Sequence, residues 1–405
     1  MTSITITTLK RLVIGAFLFL LPTQLGTFFF MDFSYIHGVR VDYLAPAIYL
    51  TDILFLVLCA FFWKHIITHI QRHIKPYSIL FALGLINISL SLYPVWALYS
   101  VLKICQIIFL YIIYASIRLK PSDVLIAFGL SAVLQLFLTL VQFGQKASVQ
   151  GVFYYFGERY MSLSTPGIAK AAFFGEQILR PYGTFSHPNS LAGFFLLVYS
   201  FLLLLPSKSI LKPVVLSLCA MLVLISFSKL AIFTFVLINI GYFIFHYTVS
   251  CRMCTIARFS LLLVVAGVFL QTHADPLTLE KRVWLFKQSL SIIGNNLLMG
   301  TGFGHHLFAH ANFPDAYSYF FLQPVHNIFA LFLMQAGILI TCFSVFFLIN
   351  HLKSNLSQIK KYGMYMLFVL ALTGSGDHYW LTLQQNMLLV GTLWGLMIGQ
   401  NRSAL

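Results

Sequence analysis

A helix needs about 20 consecutive, mostly apolar residues to cross the hydrocarbon core of a bilayer. Such runs recur along this chain, and they limit its fold more than any other feature. With that window, twelve segments qualify: 12–30, 43–63, 76–94, 97–117, 122–143, 188–205, 212–227, 229–248, 257–272, 327–350, 362–376 and 383–400. Lipid offers the backbone no hydrogen-bond partner, so only helices and closed barrels span it. The runs show no period-two alternation, so helices are expected. The run within 1–30 is long and no small-x-small cleavage site follows it, so it reads as a first span and not as a cleaved leader. Only 9% of the 405 residues are charged, against about 25% in a soluble domain. That is too little charge to coat the two or three cores a soluble chain of this length needs. A soluble enzyme, a disordered chain and a fibrous protein are excluded.

The charges test the count of spans. With the N-terminus in the cytoplasm and alternating crossings, fifteen basic residues and one acid, Asp123, fall on the cytoplasmic side. Nine basic residues and eight acids fall outside, and Asp52 and Lys103 lie within spans. Cytoplasmic loops carry the Lys/Arg excess in membrane proteins. The segregation predicts an all-α, multi-pass protein of about twelve spans in the cytoplasmic (inner) membrane, with both termini inside. The net charge of +15 is then an orientation signal. No basic run with interleaved aromatics points to nucleic acid. The six cysteines make no disulfide framework or zinc pattern, and Cys251 and Cys254 form a lone CxxC. Residues 1–405 read as a single membrane domain. Two long outer loops stand out, 144–187 and 273–326, the latter between the ninth and tenth spans.

Several constellations sit at the expected outer face. The first is Arg180-Pro-Tyr-Gly-Thr-Phe-Ser-His-Pro-Asn-Ser-Leu-Ala-Gly193. Pro188 and Asn189 suit a helix start, and Gly183 suits a tight turn before it. Arg180 would stand just above the membrane, able to hold an anionic oxygen through two parallel bonds; an interfacial arginine with a capping loop accounts for the same residues. The second, Glu280-Lys281-Arg282, places positive charge where the insertion rule disfavours it. That suggests an anion site, against a plain solvated helix face. The third, Gly300-Thr-Gly-Phe-Gly304, can present backbone amides to an anion. It is followed by His305, His306 and His310, of which His306 and His310 share a helix face. With Asp315 the only nearby acid, a metal site there is poorly supported. The fourth is His326-Asn327 at the start of the tenth span, with Gly337 further on. A histidine there can accept a proton near neutral pH, or act as an interfacial cap. The fifth is Asp377-His378-Tyr379-Trp380 with Gln384 and Gln385, in the turn between the last two spans. Asp377 can orient a histidine or bind a sugar hydroxyl. Asp52 and Lys103 are expected about 10–14 Å below the outer edge, as a structural pair or, alternatively, a transporter's ion site.

Residues 180–193 resemble the arginine-x-x-Gly-Thr-Phe-x-His-Pro-Asn-x-x-Ala-Gly segment of the O-antigen ligase and polymerase superfamily. His326-Asn327-x9-Gly337 is similar to the His-[Asn/Ser/Gln]-x9-Gly signature of the O-antigen ligases. Arg282 ahead of the G-x-G turn matches their loop pattern, and the twelve-span layout agrees. The chain departs from the family at Ser228-Lys229, where a Ser-Arg pair is usual. The resemblance implies an inverting, metal-independent membrane glycosyltransferase of the C-type class with no cofactor. Its donor would be a glycan on undecaprenyl pyrophosphate, and its acceptor a hydroxyl of lipid A-core or another glycan. Carried over, Arg180, Arg282 and His326 become the catalytic set. Lys281, Asn327, His187, Asn189, Asp377 and His378 become substrate-binding residues, with no metal ligand. A polysaccharide polymerase or a protein O-oligosaccharyltransferase would use the same chemistry on another acceptor. A transporter of lipid-linked glycan would instead place charges at the midplane and break or repeat its spans.

Overall fold

In the computed structural model, α1 (Ser3–Leu20) ends just ahead of Pro22 and does not run on to residue 30. Proline has no amide hydrogen to extend a helix. Residues 21–49 instead hold four short strands, β1 (Gly26–Phe28), β2 (Tyr35–Ile36), β3 (Val39–Arg40) and β4 (Ala47–Tyr49). β1 pairs antiparallel with β4, and β2 with β3. The first two expected helices are therefore corrected: 12–30 becomes α1, and 43–63 becomes α2 (Leu50–Arg72). The apolar character of 21–49 has another cause than a helix in lipid. Leu21, Leu44, Ala45 and Ala47 are buried within the protein.

The structure describes residues 3–173, 175–246, 276–313 and 322–400, together with positions 260, 263 and 267. Most of the ninth expected span, 257–272, lies outside the described residues, as do Cys251, Cys254 and Asp315. The other expected spans correspond to helices: α3 (Ile74–Ser89), α4 (Pro94–Ala115), α5 (Pro121–Gln145), α6 (Pro188–Leu204), α7 (Leu211–Ile225) and α8 (Lys229–His246). A further helix, α9 (Pro276–Asn295), lies in the segment expected to be the large loop. It is followed by α10 (Ile328–Ser354), α11 (Met364–Gly374) and α12 (Gln384–Gly399). A π turn, Ile359–Gly363, leads directly into α11. Strands β5 (Lys170–Phe173) and β6 (Glu176–Leu179) form a hairpin before α6. The protein is mostly helical. Among the described residues, α2, α4, α5 and α10 are long and apolar enough to cross a membrane.

The core gathers around α6, which is buried on all sides, as expected of a helix that is apolar all round. It packs with α5, α7, α8, α11 and α12. α12 lies close along α4. Gly391, Gly395 and Gly399 face the carbonyls of Ile107, Tyr111 and Ile117, where any side chain would collide. Small residues four apart let two helix backbones approach in this way. The contact fixes the start of α12, and with it the Asp377–His378 turn.

Candidate functional site

Asp377 is the centre of a buried polar cluster. The carboxylate Oδ2 accepts from Asn189 Nδ2 at 2.7 Å, and Oδ1 from the His378 amide at 2.8 Å. Asn189 turns its Oδ1 to Arg180, whose Nη2 donates at 2.6 Å. Arg180 Nε is anchored on the Ser226 carbonyl at 3.0 Å. From the other side, Arg282 Nη1 donates to the Gly376 carbonyl at 3.2 Å. The rings of His326 and His378 meet edge to face, with centroids 5.1 Å apart. His378 Nδ1 lies 2.7 Å from Thr382 Oγ1. Residues from four distant stretches thus converge, at the N-termini of α6 and α10, on α9 and on the α11–α12 turn.

Local chemistry explains these placements. α6 starts at Pro188 as expected. His187 caps it, with Nδ1 accepting the Asn189 amide at 3.1 Å. Because His187 does the capping, the Asn189 side chain is free to bridge Arg180 and Asp377. Asn327 caps α10 by accepting from the Phe329 and Ala330 amides, and its Nδ2 reaches the Ser375 carbonyl at 3.1 Å. Both ends of that carboxamide are engaged, so Asn327 acts here as a cap and a tie between helices. Gly193, the last residue of the long motif, lies against the Tyr379 ring, and a methyl group there would overlap it. The motif's glycine thereby seats the turn that carries Asp377. Lys281 precedes Arg282 on α9 and points about 100° away around the helix axis. Ser228 and Lys229 follow Ser226 after one intervening residue, Phe227, with Lys229 the first residue of α8.

The cluster has a defined charge state. Burial favours the neutral form of Asp377, but His378, His326, His187 and Arg282 outweigh it and hold the carboxyl below the ordinary range. Burial is the main cause that depresses His326; His378 and Arg282 add to it, and Asp377 opposes it. His378 is lowered by burial and by Arg282, and His187 by burial and by Arg180, the latter to about 3. Burial also brings Arg180 down to about 10, which still leaves it protonated. Neutral imidazoles therefore surround one carboxylate flanked by two guanidinium groups. Two atoms here are covered and have no hydrogen-bond partner among the described residues: Arg282 Nε and His326 Nδ1. An excess positive charge, a spare donor and a spare imidazole nitrogen suit an anionic ligand that has a proton to transfer nearby.

The glycine-rich turn differs from expectation. Its amides do not face a ligand. Gly300 N bonds Asn296 O, Thr301 N bonds Met334 O, and Gly302 N bonds Gln335 O. Phe303 N and Gly304 N bond the side chains of Asn87 and Gln335. The turn docks into a break in α10 at Gly337, where φ is +70° and ψ 175°. Gly300 and Leu298 press against Gly337 so closely that only glycine fits. Gly337, the glycine that closes the His-Asn-x9-Gly pattern, is thus a docking notch for the G-x-G turn.

His305 bonds the Tyr93 amide through Nε2 at 2.9 Å. His306 and His310 are buried, and both ring nitrogens of each lack partners among the described residues. Among the described residues they gather no acid. Instead, His326, Asp377 and His378 place one potential ligand atom each within 4.8 Å of one another. Asp52 and Lys103 do form a pair, at 2.7 Å. Asp52 stands in the first turn of α2, where it also accepts the Tyr49 amide. Sequence reasoning did not single out Ser226, Tyr43 or Thr382. The first anchors Arg180 through a backbone carbonyl, which leaves no trace in side-chain chemistry. Comparison with protein-family models and with curated proteins finds no match to this chain.

Proposed function

We propose that the chain is a multi-pass glycosyltransferase of the cytoplasmic membrane, with about twelve spans and both termini inside. It transfers a preassembled glycan from undecaprenyl pyrophosphate to an acceptor hydroxyl, such as one on lipid A-core, at the outer face. One observation carries this reading: Arg180 and Arg282 flank a single carboxylate, Asp377, beside a neutral His326. The net positive charge matches a leaving pyrophosphate, and Arg282 Nε is a donor still unused. The acceptor oxygen attacks the anomeric carbon, the bond to the lipid pyrophosphate breaks, and the configuration inverts. His326 takes the hydroxyl proton, and Asp377 stabilises the imidazolium that results. Fixed cations count most where water is excluded, and losing one such group commonly costs about 10²–10³ in rate. Donor phosphates would offset the charge of Arg282 and so make His326 more basic at the moment it acts.

The His326–Asp377–His378 set would also suit a divalent cation by ligand type. Two features favour proton transfer instead. Both oxygens of Asp377 already accept hydrogen bonds, and two guanidinium groups would repel a cation. A polymerase or a protein O-oligosaccharyltransferase keeps this chemistry and changes the acceptor. A transporter is disfavoured by the pairing of Asp52 with Lys103, which leaves no free charge on those two residues. The glycolipid profile of a deletion strain tests the proposal. Long glycan accumulating on the lipid carrier supports a ligase, and a single repeat on the final acceptor supports a polymerase. An unchanged profile refutes both.

A further inference from the structure

A cavity of about 260 Å³ adjoins the cluster. It is too large for one or two waters at ~30 Å³ each, and is of the order of a single sugar ring. Its walls come from the strands before α2, from α4, from the turn at 303–306 and from the start of α12. Trp96 and Tyr99, stacked with centroids 5.1 Å apart, contribute aromatic surface, as does Tyr43. Tyr43 also meets the His378 ring at 5.7 Å, and Thr382, which bonds His378, lines the same space.

The polar lining is unusual. Five covered atoms on four lining residues have no hydrogen-bond partner among the described residues: Gln24 Oε1, Gln106 Oε1, Ser186 Oγ and both ring nitrogens of His306. Gln24 and His306 are only 7% and 6% exposed. A buried polar atom left unpaired costs about 1–3 kcal/mol, and folded proteins keep few of them. Their framework is rigid. Asp52 accepts from Lys103, Gln106 and Gln384, so the Gln106 amide nitrogen is fixed while its oxygen stays unmatched. An apolar lipid chain would leave all five atoms stranded. A ligand with aliphatic ring faces and several hydroxyls would satisfy them and pack on the aromatic rings.

We infer that this cavity seats the terminal sugar of the acceptor, with Gln24, Gln106, Ser186 and His306 binding its non-reacting hydroxyls. The inference rests on the transferase reading: the pyrophosphate side is assigned to Arg180 and Arg282, and the cavity meets the cluster through Tyr43 and Thr382.

The test uses the purified full chain in detergent and the methyl glycosides of glucose, galactose, mannose and N-acetylglucosamine, followed by saturation-transfer NMR. At least one glycoside saturates. His306→Phe and Ser186→Ala each weaken it, by up to about ten-fold for one hydrogen bond. Both variants melt no lower than the parent, because each removes an unpaired polar group. In a transfer assay, the KM for the acceptor rises by the same factor while the KM for the donor holds. No saturation by any glycoside, or unchanged binding in both variants, overturns the site. If His306→Phe transfers with an unchanged acceptor KM, the site is overturned and the transferase reading stands. If binding is lost in the variants but the parent releases no lipid pyrophosphate, the sugar site stands and the transferase reading fails.

Discussion

Gly337→Ala should be among the most damaging single-methyl changes in the molecule. At φ +70° and ψ 175° the residue lies in a region open essentially to glycine, where another residue costs of order 1–3 kcal/mol. The added carbon would overlap Gly300 N, Leu298 O and the carbonyl carbon of Met299. All three are backbone atoms, so no side chain can swing aside, and overpacking of this kind adds about 1–3 kcal/mol. Relief requires the 298–302 segment to withdraw. That would endanger the bonds from Ile338 N to Leu297 O at 2.8 Å and from Thr301 N to Met334 O at 2.8 Å. The total is about 2–6 kcal/mol, a large share of the 5–15 kcal/mol of a typical domain. Gly84 on α3 is the control. A Cβ there meets nothing within 4 Å, so Gly84→Ala should be neutral or stabilising by about 0.5–1 kcal/mol. Thermal melting of the detergent-solubilised protein reads both variants. If Gly337→Ala melts with the parent while Gly84→Ala behaves as stated, the notch does not hold the glycine-rich turn.

Two further outcomes concern the cluster itself. His326 must be neutral to act as a base, so activity is present above its pKa and lost as pH falls through it. Burial lowers that pKa, so the acid limb of kcat/KM should lie below the ordinary imidazole value of about 6.5. Asp377 pulls the other way, so Asp377→Asn should move the limb to still lower pH; a limb shifted upward would show that Asp377 does not act on His326. Turnover should also persist in excess EDTA. Activity lost to EDTA and restored by zinc or magnesium would make His326, Asp377 and His378 metal ligands.

A helix end was legible in the sequence where an apolar run and a start signal coincided, as at Pro188 with Asn189. Helices were misplaced at 12–30 and 43–63. Hydropathy registers burial, and Leu21 and Leu44 are buried by β-paired loops instead of lying in membrane helices. The strands that do this pair across about twenty residues, which no local window reads. Arg180, Asn189, Arg282, His326 and Asp377 were each recognisable, but their convergence was not. Asn189 meets Asp377 across 188 positions, and only the packing of α6 against α11 and α12 brings them together. The glycine turn misled for a related reason. Its composition suits an anion nest, while the acceptors that occupy its amides, Met334 O and Gln335 O, lie on another helix.

The most direct test separates donor binding from transfer in reconstituted protein supplied with undecaprenyl-pyrophosphate glycan and an acceptor. With the parent, lipid pyrophosphate is released as acceptor is glycosylated. Arg282→Ala should lose donor binding and, with it, about 10²–10³ or more of the rate. His326→Ala should keep donor binding nearly intact and transfer almost nothing. If His326→Ala inserts normally and transfers at the parental rate, His326 is not the base and the proposed chemistry is wrong.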